Sequence, residues 1–158
     1  MEFIDEETID QIAVQLGTSE ATREAAVEAL REEQPVLLAY LFSENFEVFL
    51  NREREYVLFL VLVIVESVKH KTGQALPVIT EDMLGEVEES NWTKMRTVSA
   101  QRFRERLDVF FEDTTQEDLL AFVEDALIDE EEGLLSKEGR EPIFIVLKSV
   151  IDALGRAQ

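Results

Sequence analysis

Apolar positions recur along most of the chain at spacings of three and four, the period of a helix packed on one face. Residues 3–16 place Ile9, Ile12, Ala13 and Leu16 at this spacing, and Gly17 supplies a stop. A second helix follows a cap at Thr18 or Ser19 and turns Ala26, Val27 and Leu30 away from Glu24, Glu28 and Arg31. It ends at Gln34, because a following proline disfavours helical backbone in the residue before it. Pro35 itself suits the first turn of a third helix over 36–42, and Ser43 and Asn45 mark a break.

The run YVLFLVLVIV at 56–65 carries no charge. A bilayer span needs roughly 20 apolar residues, whereas Arg52, Glu53, Arg54 and Glu55 abut one end of this run and Glu66, Lys69, His70 and Lys71 the other. Its β-branched content suits a strand, but no other segment has a strand pattern with which it could pair. The run is therefore read as the middle of a central apolar helix, about 52–71, ended by Gly73. Being apolar all round, it is expected to be covered on every side.

Residues 74–79, with Pro77, form a connector. Thr80 caps a short helix through about residue 89, which Gly85 weakens, and Ser90 or Asn91 caps a further segment from Trp92. Ala100, Phe103, Leu107, Phe110 and Phe111 then share one stripe. Thr114 with Glu117 resembles a capping box before a helix burying Leu119, Leu120, Val123 and Leu127. Residues 129–139, DEEEGLLSKEG, read as an exposed loop. Glu141-Pro142 opens the last helix, which buries Ile143, Val146, Leu147, Val150 and Leu154 and stops at Gly155. With no βαβ alternation, the pattern predicts an all-α fold: one globular domain, 1–158, of seven or eight helices around the central one.

Composition narrows the function. At 158 residues with ten Phe the chain can bury a sizeable core, and the absence of cysteine excludes disulfides, thiolate nucleophiles and zinc-thiolate sites. The acidic first residues lack a secretion leader, which points to the cytoplasm. Thirty-five acids against fifteen bases leave a net charge of −20. Such a surface repels nucleic acid and anionic lipid and complements a basic protein. The same acidity also serves plain solubility. The charge is uneven: residues 1–33 hold ten acids and two bases, 107–135 eleven acids and no base, and 94–106 five bases and one acid.

Motifs for catalysis are missing. The one histidine, His70, stands among lysines, and no nucleophile elbow, phosphate-binding loop or His-Glu-x-x-His pattern occurs. Glu66 and His70 share a helical face without the further ligands a metal site needs, and residues 129–132 lack the spacing of a calcium loop, so no metal or cofactor is expected.

Two function classes remain. One is a non-catalytic interaction protein (an inhibitor, immunity-type protein, adaptor or nucleic-acid mimic) whose acids, Asp129, Glu130, Glu131 and Glu132 foremost, dock a basic partner. The other is a small-ligand or catalytic helical domain with an anion held by Arg96, Arg102 and Arg106. These arginines lie in the one basic cluster, which in so acidic a chain is also expected to pair with neighbouring acidic helices. Arg96 would fall within the apolar stripe if 92–111 were one helix, which predicts either a break near 97–99 or a partly buried Arg96 with a carboxylate or anion. Finally, the side of the central helix that carries Phe59 and Leu62 is charged at both ends and apolar only there, which admits a homodimer through that side or another helix of the same chain lying across it.

Overall fold

The computed structural model describes residues 1–43, 49–128 and 135–158. They are all-helical, with no strand among the described residues: eight helices and one isolated helical turn. In order these are α1 (Glu6–Thr18), α2 (Glu20–Glu33), α3 (Pro35–Leu41), α4 (Asn51–Thr72), α5 (Glu81–Arg96), the turn α6 (Phe103–Arg106), α7 (Asp108–Asp113), α8 (Glu117–Ile128) and α9 (Lys137–Ala157). No helix among the described residues is long and apolar enough to cross a membrane.

Local chemistry explains most of the boundaries. The carboxylate of Asp5 accepts from the Thr8 amide and starts α1, and Ser19 Oγ accepts from the Thr22 amide and starts α2. Gly17 does not stop α1, which runs one residue further to the Ser19 turn. Arg23 donates to the Leu16 carbonyl at 2.8 Å, satisfying a carbonyl that the end of α1 leaves open. Gly73 ends α4 at φ 69°, a left-handed conformation without penalty for glycine. The connector after it is clamped by the buried amide of Gln34, which donates to the Pro77 carbonyl and accepts from the Ile79 amide, both at 2.9 Å.

Four expectations give way. Helix α5 runs unbroken through Ser90 and Asn91, because the Asn91 side chain is buried and donates to Ser149 Oγ (3.1 Å) and the Asp152 carboxylate (3.0 Å) instead of capping a new segment. Thr114 Oγ1 accepts from the Gln116 amide, a turn just before α8, rather than from Glu117. The last helix begins at Lys137, capped by Ser136, so that Pro142 lies inside it, and it passes Gly155 to reach Ala157. The run 56–65 is enclosed from Leu60 to Val65, but Tyr56, Leu58 and Phe59 remain half-buried.

The buried apolar side chains form one contiguous cluster. Helix α4 packs against α1, α2 and α9, while α9 packs against α4, α5 and α8. The inner place is thus divided between two helices, and α9 is enclosed over nine consecutive residues, 143–151.

Their N-terminal ends are joined by Glu53, a carboxylate 2% exposed. One oxygen accepts from the Leu50 amide at 2.9 Å, and the other accepts from the Ser136 amide at 3.1 Å and its hydroxyl at 3.0 Å. Leu50 offers no side-chain acceptor, so only this reciprocal half of a capping box forms at α4.

Candidate functional site

Helices α1 and α8 flank α4 and leave a cleft of about 420 Å³ between them. Their starts are pinned together: the Asp118 carboxylate accepts from the Glu6 amide at 2.8 Å. The buried Gln116 side chain holds the preceding segment by accepting from the Ile4 amide (3.0 Å) and donating to the Glu2 carbonyl (2.7 Å). At the far end the Tyr56 hydroxyl donates to the Ala126 carbonyl at 2.8 Å, one of the orphan carbonyls in the last turn of α8. Ala121 and Ala126 keep the α8 wall low, so the rings of Tyr56, Phe59 and Phe122 stay half-buried rather than covered.

The rim is of one sign. Glu6 and Asp10 stand four apart on α1, Asp118 and Asp125 seven apart on α8, and no lysine or arginine lines the cleft. Arg104, which does not line the cleft, stands 3.1 Å from Glu124 and 3.9 Å from the rim residue Asp125. Like charges four apart cost a helix about 0.2–0.5 kcal/mol per pair. The lining therefore offers four carboxylates, a phenol and two phenyl rings, groups that hold cations and apolar side chains together.

A second groove lies between α2 and α4. Glu20, Glu24 and Glu28 form a ladder at spacings of four along α2, Glu55 faces them from α4, and Val27, Leu58, Phe59 and Leu62 contribute apolar lining. Arg23 also lines it, with its guanidinium committed to the Leu16 carbonyl.

The anion-binding arginines do not converge. Arg96 is exposed and donates to Thr93 Oγ1 of its own helix at 3.3 Å, which overturns the expectation of partial burial. The reason is the break: α5 ends at Arg96, and residues 97–101 leave the helix before the stripe resumes, so Arg96 never enters the core. Arg102 is 85% exposed and 3.9 Å from Glu105. Arg106 is the half-buried one. It forks onto Glu141 of α9 at 3.1 and 3.3 Å and donates to the carbonyls of Val98 (3.2 Å) and Ala100 (2.8 Å), tying residues 97–102 to the last helix. Lys94 pairs with Asp113 at 2.8 Å, and the hydrogen bond and charge of Lys94 hold the Asp113 carboxyl below the usual carboxylate range. The basic cluster is thus largely engaged within the chain.

Phe59 and Leu62 also separate. Leu62 is only 1% exposed, at the base of the second groove, whereas Phe59 is half-buried and lines both grooves. Residues of α1, α2 and α8 stand around Phe59. The candidate partner-binding acids Asp129, Glu130, Glu131 and Glu132 lie outside the described residues.

Two polar clusters escaped the sequence reading. Lys148, nearly buried in α9, pairs with Asp152 at 2.6 Å beside Asn91 and Ser149. Lys69 joins Glu33 of α2 at 2.8 Å and Glu66 at 3.4 Å; burial depresses its pKa, but the hydrogen bond to Glu33 and the charges of both glutamates outweigh this and raise it. Among the described residues no group of three His, Asp or Glu side chains is placed to hold a metal ion. Comparison with protein-family models, curated proteins and solved structures found no match.

Proposed function

We propose that the chain is a non-catalytic interaction domain whose α1–α4–α8 cleft receives a basic, amphipathic helix of a partner protein. The observation that carries this reading is the pairing of an all-acidic rim with an apolar, aromatic floor in one cleft. A helix bearing apolar residues at i, i+3 and i+7, with lysine or arginine beside them, complements both parts at once. Asp118 and Asp125 stand about 10 Å apart along α8, close to two helical turns. A second copy of the chain is the poorer occupant, since it brings the same negative charge to the same rim. The alternative, an anion site at Arg96, Arg102 and Arg106, loses support because these side chains face solvent or Glu141.

The test is fluorescence anisotropy with a labelled helical peptide of leucine and lysine in that pattern. Wild-type protein is expected to bind, and the Asp10→Lys/Asp125→Lys double variant to bind about tenfold more weakly, mostly through the association rate. A glutamate version of the peptide is expected not to bind. Equal affinity of wild type and double variant contradicts the proposal.

A further inference from the structure

We infer that the two acid-rimmed grooves form one binding surface joined at Phe59, and that a single basic helix occupies both. The inference rests on the reading above and adds the extent of the site. Phe59 lines the α1–α4–α8 cleft and also the α2–α4 groove, so its ring is apolar ground common to the two. Gly17, in the last turn of α1, lies beside that ring: a Cβ there would meet Phe59 Cζ at 3.9 Å.

The charge agrees with one extended partner rather than two unrelated sites. Beyond Phe59 the rim keeps its sign: Glu20, Glu24 and Glu28 line α2 over about 12 Å, and Glu55 stands opposite. These like charges repel along α2 and across the groove, and a cationic helix relieves both repulsions. Arg23, the one arginine of this lining, donates to the Leu16 carbonyl and offsets part of the charge, and Arg31 pairs with Glu28 from the same helix, but four carboxylates against one guanidinium leave the lining net negative. A membrane surface fits less well, since anionic headgroups meet the same repulsion.

Titration calorimetry with the leucine–lysine helical peptide, about eighteen residues long, tests this. One peptide per protein is expected. Glu24→Lys/Glu55→Lys, which alters only exposed carboxylates of the second groove, is expected to weaken binding about tenfold, as Asp10→Lys/Asp125→Lys does at the first. Gly17→Leu places bulk beside Phe59 at a helical position that tolerates a side chain. It is expected to weaken binding about tenfold without lowering the melting temperature, which separates a blocked junction from a damaged fold. Two peptides per protein, or wild-type affinity in both Glu24→Lys/Glu55→Lys and Gly17→Leu while Asp10→Lys/Asp125→Lys binds weakly, overturns the joined surface and leaves the first cleft standing. A wild-type protein that binds no peptide overturns both.

Discussion

Glu53 and Gly139 show how closely a buried charge fits its surroundings. A Cβ at Gly139 would lie 2.4 Å from a Glu53 oxygen that already accepts from the Ser136 amide and hydroxyl. Gly139→Ala must therefore displace a carboxylate held by three hydrogen bonds, and a loss of about 1–3 kcal/mol is expected in urea unfolding. Unchanged stability would mean that the carboxylate has room to move. Tyr40 offers a test at high pH. Burial, then the charge and hydrogen bond of Glu88, push its hydroxyl pKa well above the ordinary 10. The unfolded chain then ionises first as pH rises, so the stability this group contributes is fully present below pH 10 and is lost above it by up to about 1.4 kcal/mol per pH unit. Tyr40→Phe is expected to lose about 1 kcal/mol at pH 7 but to show a flatter fall between pH 10 and 11. Parallel pH profiles for the two proteins would contradict this.

Helix boundaries record which local signals tertiary contacts override. Asp5, Ser19, Thr80 and Ser136 cap helices as side chains of their type do, and Gly73 stops α4 at positive φ. Thr80 and Gly73 were legible as such in the sequence, and Ser19 as one of two alternatives. Asn91 was not, because its choice between capping and burial depends on Ser149 and Asp152, about sixty positions away. The enclosure of α9 was also hidden, since Lys148 and Ser149 interrupt its apolar pattern while their partners allow burial. The cleft was half legible: the weak side of the central helix pointed to Phe59, but nothing in the chain order places α8 beside α1. Within α5, Gly85 has a negative φ, is exposed and has open space around its missing side chain. Gly85→Ala is expected to stabilise by about 1 kcal/mol, a rise in melting temperature of about 2–4 °C. A fall would show that glycine has a role there beyond the helix backbone.

Across the whole molecule, a net charge of −20 opposes compaction, and the same charge would steer the proposed cationic partner toward the surface. Salt should separate the two effects, because screening shortens the reach of exposed charge from about 10 Å at 0.1 M to about 3 Å at 1 M. The melting temperature of the free protein is expected to rise with sodium chloride as carboxylate repulsion weakens, while affinity for the basic peptide falls. A melting temperature that falls with salt would mean that ion pairs such as Lys69–Glu33 and Arg106–Glu141 outweigh the repulsion. Docking of a basic helix in the α1–α4–α8 cleft is tested most directly by backbone-amide chemical-shift mapping during titration with the leucine–lysine peptide. Changes are expected at residues 6–10, 56–60 and 118–126, and at 20–28 where the peptide extends into the second groove, with α5 and the outer turns of α9 unmoved. Changes centred on α5 and α9, or spread evenly over the acidic surface, would contradict it.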